Sequence, residues 1–255
     1  MRRKATENSE LFKFGIGVFE TIKIYKGIPI LLKEHLDRMY NSVNELNIKF
    51  NIPYEELEKK VYEYVKNYDY KALRITVFDE GYNFMIRDIP YKDEDYNRGY
   101  KLNIAPIRRG KSFIYRHKTV NYFENIYLKR LALREGFDES LIVNTDEKIL
   151  EGTMTNIFFI RGNKVFTPEL SLNILPGIMR KEVIKTAKNI GIEVNECIID
   201  IGDLSKFDFA FITNSLMDVL RVREIGDITY DEDNEIFYKL RAALEEKFYG
   251  RFKNC

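Results

Sequence analysis

The feature that most constrains the fold is the repeated change of hydrophobic period along the chain. The segment VFETIKIY (18–25) is rich in β-branched and aromatic residues, and the Lys-Gly turn and IPILL that follow it are typical of a β-hairpin. The next stretch has the three-and-four spacing of an amphipathic helix, carried by Leu32, Leu36, Met39, Val43 and Leu46. Arg38 lies beside the apolar face of this predicted helix.

The rest of the chain continues to alternate between the two patterns. A second helix is predicted from about Tyr54 to Tyr68, and further helices at 122–135, 179–190 and 235–248. Strands are predicted at ALRITVF (72–78), YNFMIRD (82–88), KLNIAPI (101–107), SLIVNT (140–145), TNIFFIR (155–161), KVFTP (164–168), IEVNECII (192–199) and FDFAFIT (207–213). This order of elements predicts an α+β protein with a mixed or antiparallel sheet.

A division into two domains is predicted from the segment PIRRGKS (106–112). It is polar and basic and contains a Pro and a Gly, which is the composition of a connection rather than of a core element. We therefore expect a smaller N-terminal domain over 1–105 and a larger C-terminal domain over 113–255, sizes that can each bury a core.

Charge and composition exclude several classes of protein. The 41 basic and 40 acidic side chains give a net charge of +1, so we expect no nucleic-acid or anionic-membrane partner. No apolar stretch approaches the ~20 residues of a membrane span. Only two cysteines occur, Cys197 and Cys255, which favours a reducing, cytoplasmic location. His35 and His117 have no carboxylate or thiol at metal-ligand spacing, so no metal site is expected.

Lys118 is the strongest candidate for chemistry. It lies between His117 and a hydroxylated residue, after a short extended stretch and before a predicted helix. A buried lysine has its pKa lowered by desolvation and becomes a nucleophile for carbonyl compounds, whereas most lysines are solvated charges. Tyr122 would lie about one helical turn away, either to bond what Lys118 holds or to pack the helix start.

Three further segments carry weaker signals. Glu151 directly precedes a Gly and a predicted strand, so its carboxylate faces either a pocket at the strand end or solvent. The Pro-Gly turn in NILPGIMRKEVIK begins a helix, and a helix start offers free N–H groups to an anion. The segment FITNSLMDV ends a strand with Thr213, Asn214 and Ser215, which is either a second anion contact or an ordinary hydroxyl-rich turn.

The order of six segments resembles that of a known family. FGIGVFETIKIYKG, LLKEHLDRMYNSVNEL, HKTVNY, EGTMTNIFFI, ILPGIMR and FITNSLMDV together resemble the class IV aminotransferases of pyridoxal-phosphate (PLP) fold type IV, over roughly residues 12–225. The resemblance implies a two-domain, D-amino-acid aminotransferase-like fold, with a small N-terminal α/β domain and a larger mixed-sheet, pseudo-barrel C-terminal domain. It also implies a homodimer and a small amine or carboxylate substrate.

The same resemblance assigns roles to individual residues. Lys118 is expected to be the Schiff-base lysine and the catalytic base and acid, Tyr122 to bond the phenolic oxygen of the cofactor, and Glu151 to pair with its pyridinium nitrogen. The phosphate contacts implied by the family pattern are Arg38, the amides of Ile178 and Met179, and Ser215.

The reaction is less constrained than the family. The segments FETIK, HKTVNYFENI and TNSLMDV look most like the aminodeoxychorismate lyases, which make 4-aminobenzoate for folate synthesis. Alternatives are an aminotransferase for branched-chain or D-amino acids, or a cofactor-binding homologue without turnover. No Tyr-x-Arg motif occurs near ALRITVF, and VFDEG stands where a Ser/Thr-Arg-Gly turn is expected. Arg108 and Arg109 either supply positive charge for a substrate carboxylate or form a solvated basic loop.

Overall fold

The computed structural model of the protein describes residues 5–252, so Cys255 and residues 1–4 of the predicted N-terminal domain lie outside it. The helices of this described part are α1 (Glu10–Phe14), α2 (Leu32–Glu45), α3 (Tyr54–Val65), α4 (Asp93–Arg98), α5 (Phe123–Arg134), α6 (Ile178–Asn189) and α7 (Glu235–Tyr249). No helix within 5–252 is long and apolar enough to cross a membrane.

The strands of the same range are β1 (Val18–Tyr25), β2 (Ile28–Pro29), β3 (Lys71–Phe78), β4 (Gly81–Asp88), β5 (Tyr100–Ile104), β6 (Glu139–Val143), β7 (Ile149–Gly152), β8 (Asn156–Arg161), β9 (Lys164–Pro168), β10 (Glu193–Cys197), β11 (Phe209–Asn214), β12 (Asp218–Ile225) and β13 (Ile228–Thr229). They form two sheets, and each sheet belongs to one of two compact units of the chain.

The first unit contains the residues up to Pro90 together with His117–Tyr122. Its sheet has the order β2-β1-β3-β4 with antiparallel neighbours. Alternate residues of β1 and β3 enter the same apolar core as the three-and-four stripes of α2 and α3, because a strand exposes every second side chain to one face. The expected hairpin and the first two expected helices are confirmed.

The second unit contains Tyr91–Arg116 and Phe123 onward, and its sheet has the order β10-β9-β8-β11-β12-β5-β6-β7, with β13 on β12. The pairs β9/β10, β5/β12 and β5/β6 are parallel and the others antiparallel, as expected for a mixed sheet. Helix α6 packs on β11 and against α7. The expected α+β class is confirmed.

The contacts divide the chain differently from the predicted connection at 106–112. Strand β5 was expected in the N-terminal domain, but it pairs with β12 and β6 of the larger sheet. Residues 117–122 were expected in the C-terminal domain, but Thr119 bridges to Val18 of β1. Pairing between strands distant in sequence is not visible in local hydrophobic patterns, which is why composition alone placed the division elsewhere.

The β3–β4 turn, which carries the unusual VFDEG sequence, anchors α1. Ser9 is the N-cap of α1 and donates its hydroxyl to Asp79 at 2.6 Å, and the Glu10 amide donates to the same carboxylate at 2.9 Å. Burial opposes ionisation of Asp79, but these hydrogen bonds lower its pKa overall. Thr6 donates to Glu80 through its amide and its hydroxyl, at 2.8 and 2.6 Å. The departure from a Ser/Thr-Arg-Gly turn therefore has a structural use.

Candidate active site

Lys118 is held in extended backbone beside β1 in the first unit. Its carbonyl accepts a hydrogen bond from the Phe19 amide at 2.9 Å, and the Val120 amide donates to Gly17 at 2.9 Å. Its side chain is half-buried, and Nζ lies 4.7 Å from the centroid of the Phe19 ring and 5.0 Å from that of Tyr122. The amine thus lies beside an edge-packed pair of aromatic rings, at cation–π distance from both.

Tyr122 and Lys118 are close, but not through helical spacing. Helix α5 begins only at Phe123, and Tyr122 instead packs edge-to-face on Phe19 with ring centroids 5.3 Å apart. Phe19 therefore brings the two predicted residues together. The expected bond from the Tyr122 hydroxyl to a cofactor oxygen stays a prediction.

Arg38 forms a buried ionic cluster with Glu20 and His35 in the first unit. Its Nε and Nη2 donate to the two carboxylate oxygens of Glu20, each at 2.7 Å, and His35 Nδ1 lies 2.7 Å from Glu20 Oε2. Burial alone would raise the pKa of Glu20, but Arg38 and His35 hold it at about 2. Burial lowers the pKa of His35, so a neutral ring donates through Nδ1 to the carboxylate. Arg38 is oriented before any ligand arrives.

Arg74 is a candidate site residue that the sequence did not single out. On β3 it lies opposite Thr21 of β1, and its guanidinium carbon is 3.6 Å from the centroid of the Phe19 ring. Phe19 thus has Arg74 and the amine of Lys118 as neighbours. Burial and the like charge of Arg87 lower the pKa of Arg74. Polar residues at alternate positions, Arg74 and Thr76, were the available signal, because they share one face of the strand.

Glu151 lies within β7 in the second unit, not in a turn, and its side chain is buried. One oxygen accepts a hydrogen bond from Arg109 Nη1 at 3.1 Å. The other accepts from Asn156 Nδ2 at 3.4 Å and from the Leu175 amide at 3.2 Å. Because each of these partners is a donor, the environment favours the ionised carboxylate.

Arg108 and Arg109, the predicted substrate contacts, have very different surroundings. Arg108 donates to both carboxylate oxygens of Glu147, at 2.9 and 3.2 Å, and to the carbonyl of Ala105 at 2.8 Å. Arg109 is only 3% exposed and is bonded to Glu151. A contact with substrate stays a prediction for both, and the burial of Arg109 favours a supporting task for that residue.

The start of α6 offers an anion site at the predicted position. Ile178 and Met179 are the first two residues of the helix, and Gly177 precedes them as an N-cap without a side-chain hydrogen bond. The first turn carries no acidic residue, so the positive end of the helix dipole is not neutralised there. A Cβ on Gly177 would lie 1.9 Å from Asn156 Oδ1, which explains the glycine.

The turn after β11 lies near the start of α6. Thr213 of β11 is the register partner of Asn156, the same residue that Gly177 approaches. The Thr213 hydroxyl donates to the Asp218 carbonyl, and the Asn214 side chain accepts from the amides of Leu216 and Met217 at 2.9 Å each. Ser215 is half-buried, and within residues 5–252 the structure gives its hydroxyl no protein partner. Of the two hydroxyl side chains in this described segment, Thr213 and Ser215, it is Ser215 that has its hydroxyl available to donate to a ligand.

Within each unit, the candidate residues suit particular functional groups of a ligand. The α6 N-terminus and Ser215 suit a phosphate, the ionised Glu151 suits a protonated ring nitrogen, and the Lys118 amine suits an aldehyde. Among the residues described, no cluster of His, Cys, Asp or Glu is arranged for a metal ion. The fold is that of the PLP-dependent enzymes of fold type IV.

The family follows from comparison with known proteins. The sequence model of the amino-transferase class IV family matches residues 17–225, and the chain belongs to that family. An aminodeoxychorismate lyase of Bacillus subtilis is 28% identical over 95% of this chain and 88% of its own. A Methanocaldococcus jannaschii protein, provisionally named a branched-chain-amino-acid aminotransferase, is 32% identical over 92% of this chain and 86% of its own.

Solved structures agree with this family. A Legionella pneumophila structure, provisionally named a 4-amino-4-deoxychorismate lyase, has a TM-score of 0.90 with 25% identity and covers 96% of both chains. The branched-chain aminotransferase of Thermoproteus uzoniensis shares the fold, with a TM-score of 0.85 and 24% identity over 97% of this chain and 92% of its own. Other branched-chain aminotransferases of this fold were solved with pyridoxamine 5'-phosphate or a phosphopyridoxyl adduct of glutamate. The cofactor of the family, and of this protein, is PLP.

Proposed function

We propose that the protein is a PLP-dependent lyase that eliminates pyruvate from 4-amino-4-deoxychorismate to give 4-aminobenzoate for folate synthesis. The observation that carries the proposal is Arg74, which places a half-buried cation against the same aromatic ring as the Lys118 amine. The proposed substrate has two carboxylates and needs such a cation. The similarity to the Bacillus subtilis lyase over 95% of the chain supports the same reaction.

In this proposal one set of residues binds the cofactor, and Lys118 transfers the protons. The family pattern assigns the phosphate to Arg38 of the first unit and to Ser215 and the amides of Ile178 and Met179 of the second. A guanidinium and a helix N-terminus both bind anions, which supports this assignment. Tyr122 donates to the phenolic oxygen, and Glu151 keeps the ring nitrogen protonated. When bound, the cofactor supplies an aldehyde for the substrate amine and an aromatic ring that accepts an electron pair.

Lys118 moves the protons of the reaction. With PLP and substrate bound, the free amine of Lys118 would remove the proton from C4 of the substrate. The C–O bond to the enolpyruvyl group breaks, and that leaving group takes a proton from the Lys118 ammonium to become pyruvate. The ring that remains is aromatic and is that of 4-aminobenzoate. Protons and electrons balance without a further reactant.

An aminotransferase for branched-chain or D-amino acids is the second candidate. It is favoured by the 32% identity to the Methanocaldococcus jannaschii protein. The two reactions share the removal of a proton by Lys118 and differ in where it is returned, so only the substrate contacts separate them. A homologue that binds PLP without turnover is the third.

The test combines a spectrum with product assays. Protein reconstituted with PLP is expected to show the visible band of the lysine-linked cofactor and to release both 4-aminobenzoate and pyruvate from aminodeoxychorismate. A band without these products that disappears on adding branched-chain or D-amino acids assigns an aminotransferase. A band unaffected by every amine donor assigns a binding homologue, and absence of the band contradicts all three.

We also propose a homodimer located in the cytoplasm, acting without a nucleic-acid or membrane partner. The family resemblance supports the dimer. The near-equal numbers of acidic and basic residues and the low cysteine content support the location.

A further inference from the structure

The geometry points to Arg109 as a positioning residue that fixes the Glu151 carboxylate and keeps the shared proton on the ring nitrogen of the cofactor. This inference rests on the proposed role of Glu151. It replaces the expected contact between Arg109 and substrate with an action through another residue.

Arg109 has each of its guanidinium nitrogens engaged within the second unit. Nη1 donates to Glu151 at 3.1 Å, Nε to Glu124 at 3.2 Å and Nη2 to Asn125 at 3.2 Å. Its guanidinium also lies 4.3 Å from the centroid of the Tyr115 ring. A side chain held from this many directions has one orientation, so it presents one N–H to Glu151 in a fixed place.

Further hydrogen bonds connect Arg109, through Asn125, to neighbouring strands and to α5. Asn125, whose carbonyl oxygen accepts from Arg109, donates its own amide to the Thr153 carbonyl at 2.7 Å. The Thr153 hydroxyl donates to Glu139, which pairs with Lys129 at 3.6 Å. Thr153 and Glu139 are fully buried. This chain of bonds ties Arg109 to the strands and to α5, so the position of Glu151 depends on the fold around it.

The charge of Arg109 has a direct consequence for the proton. A carboxylate beside a guanidinium in a buried place binds a proton less tightly than a carboxylate without one. When Glu151 and a pyridine nitrogen compete for one proton, Arg109 shifts it toward the nitrogen. Asn156 and Leu175 orient the second oxygen of Glu151 but carry no charge, so they cannot replace this effect.

The test uses the holoenzyme with PLP labelled with ¹⁵N in the ring, whose ¹⁵N NMR shift reports protonation of that nitrogen. Arg109→Met is expected to move the resonance toward the unprotonated position, and Arg109→Lys, which keeps the charge, to restore part of it. Arg108→Met is the matched control and is expected to leave the resonance unchanged. If Arg109 acted by packing alone, Arg109→Lys and Arg109→Met would shift the ¹⁵N resonance equally.

Two further variants distinguish the possible failures. If Glu151→Gln leaves the ¹⁵N resonance at its wild-type position, the proposed role of Glu151 is wrong. If Glu151→Gln moves the resonance while Arg109→Met and Arg109→Lys leave it in place, the positioning role of Arg109 is refuted. Should Arg109→Met fail to fold, Arg109→Gln, which keeps a hydrogen-bond donor but no charge, takes its place, and a wild-type resonance in that variant would contradict the inference.

Discussion

At the scale of single residues, the reactivity of Lys118 depends on its aromatic surroundings. The amine lies beside the paired rings of Phe19 and Tyr122, within 5.0 Å of both centroids. We predict that Lys118→Ala abolishes the visible absorbance band after reconstitution with PLP, because the covalent link is lost. Lys111→Ala, on an exposed side chain paired with Asp146, is the control and should keep the band. A band retained in Lys118→Ala would remove this lysine from the proposed role.

Arg74 is the residue on which substrate binding depends in our proposal. We predict that Arg74→Gln raises KM for aminodeoxychorismate by about tenfold to a hundredfold, since a charge-assisted hydrogen bond contributes about 1.5–3 kcal/mol. Steady-state kinetics measures this, and kcat should change less. Arg87→Gln removes an exposed cation from neighbouring β4 and is the control. Equal KM values for the two variants would exclude the contact.

The low pKa of Glu20 predicts how the stability of the fold depends on pH. Its folded pKa of about 2 lies below the ordinary 4.5, so its ionisation stabilises the fold above about pH 4.5 and this contribution is lost as pH falls toward 2. Glu20→Gln should lower the free energy of unfolding by about 3 kcal/mol at neutral pH, because Arg38 loses its buried partner. Denaturant titrations should show that Glu20→Gln loses less stability between pH 4.5 and 2 than the wild-type protein does.

At the scale of elements, the start of α6 combines a glycine with unneutralised helix amides. Gly177→Ala is expected to weaken PLP binding, because the new Cβ would displace Asn156 from the bonds it makes to Leu175 and Glu151. Titration of cofactor-free protein with PLP measures the affinity. Gly202→Ala, where a Cβ meets open space, is the control. Unchanged affinity in Gly177→Ala would show that this close approach is not needed.

The β3–β4 turn departs from the family pattern and anchors the start of α1 instead. Asp79 and Glu80 hold Thr6, Ser9 and the first amides of α1 instead of offering an arginine. The sequence VFDEG stands where a Ser/Thr-Arg-Gly turn is expected, so the arginine of that turn is missing. Because Arg74 supplies a cation on the adjoining strand, the missing turn arginine does not by itself argue against substrate binding.

At the scale of the whole molecule, the proposed homodimer is directly measurable. Light scattering on the protein eluting from a sizing column is expected to give twice the chain mass of 30.3 kDa. The expectation rests on the family resemblance and is independent of the site assignments. A monomeric mass at working concentration would contradict it.

The sequence by itself determined the local elements and the family. Hydrophobic period located most helices and strands to within a few residues, because a helix or strand buries one face whatever it packs against. It missed α1, α4, β7, β12 and β13, of which α1 depends on the distant Asp79. The order of six segments identified PLP as the cofactor and Lys118 as the candidate Schiff-base lysine.

Only the tertiary structure decided how the supporting residues are used. The ion pairs of Glu20 with Arg38 and of Arg109 with Glu151 join residues 18 and 42 positions apart. It also placed Arg74 against Phe19, and β5 in the larger sheet. Such contacts depend on sheet pairing and side-chain direction, neither of which a hydrophobic pattern encodes, so they could not be predicted from the chain alone.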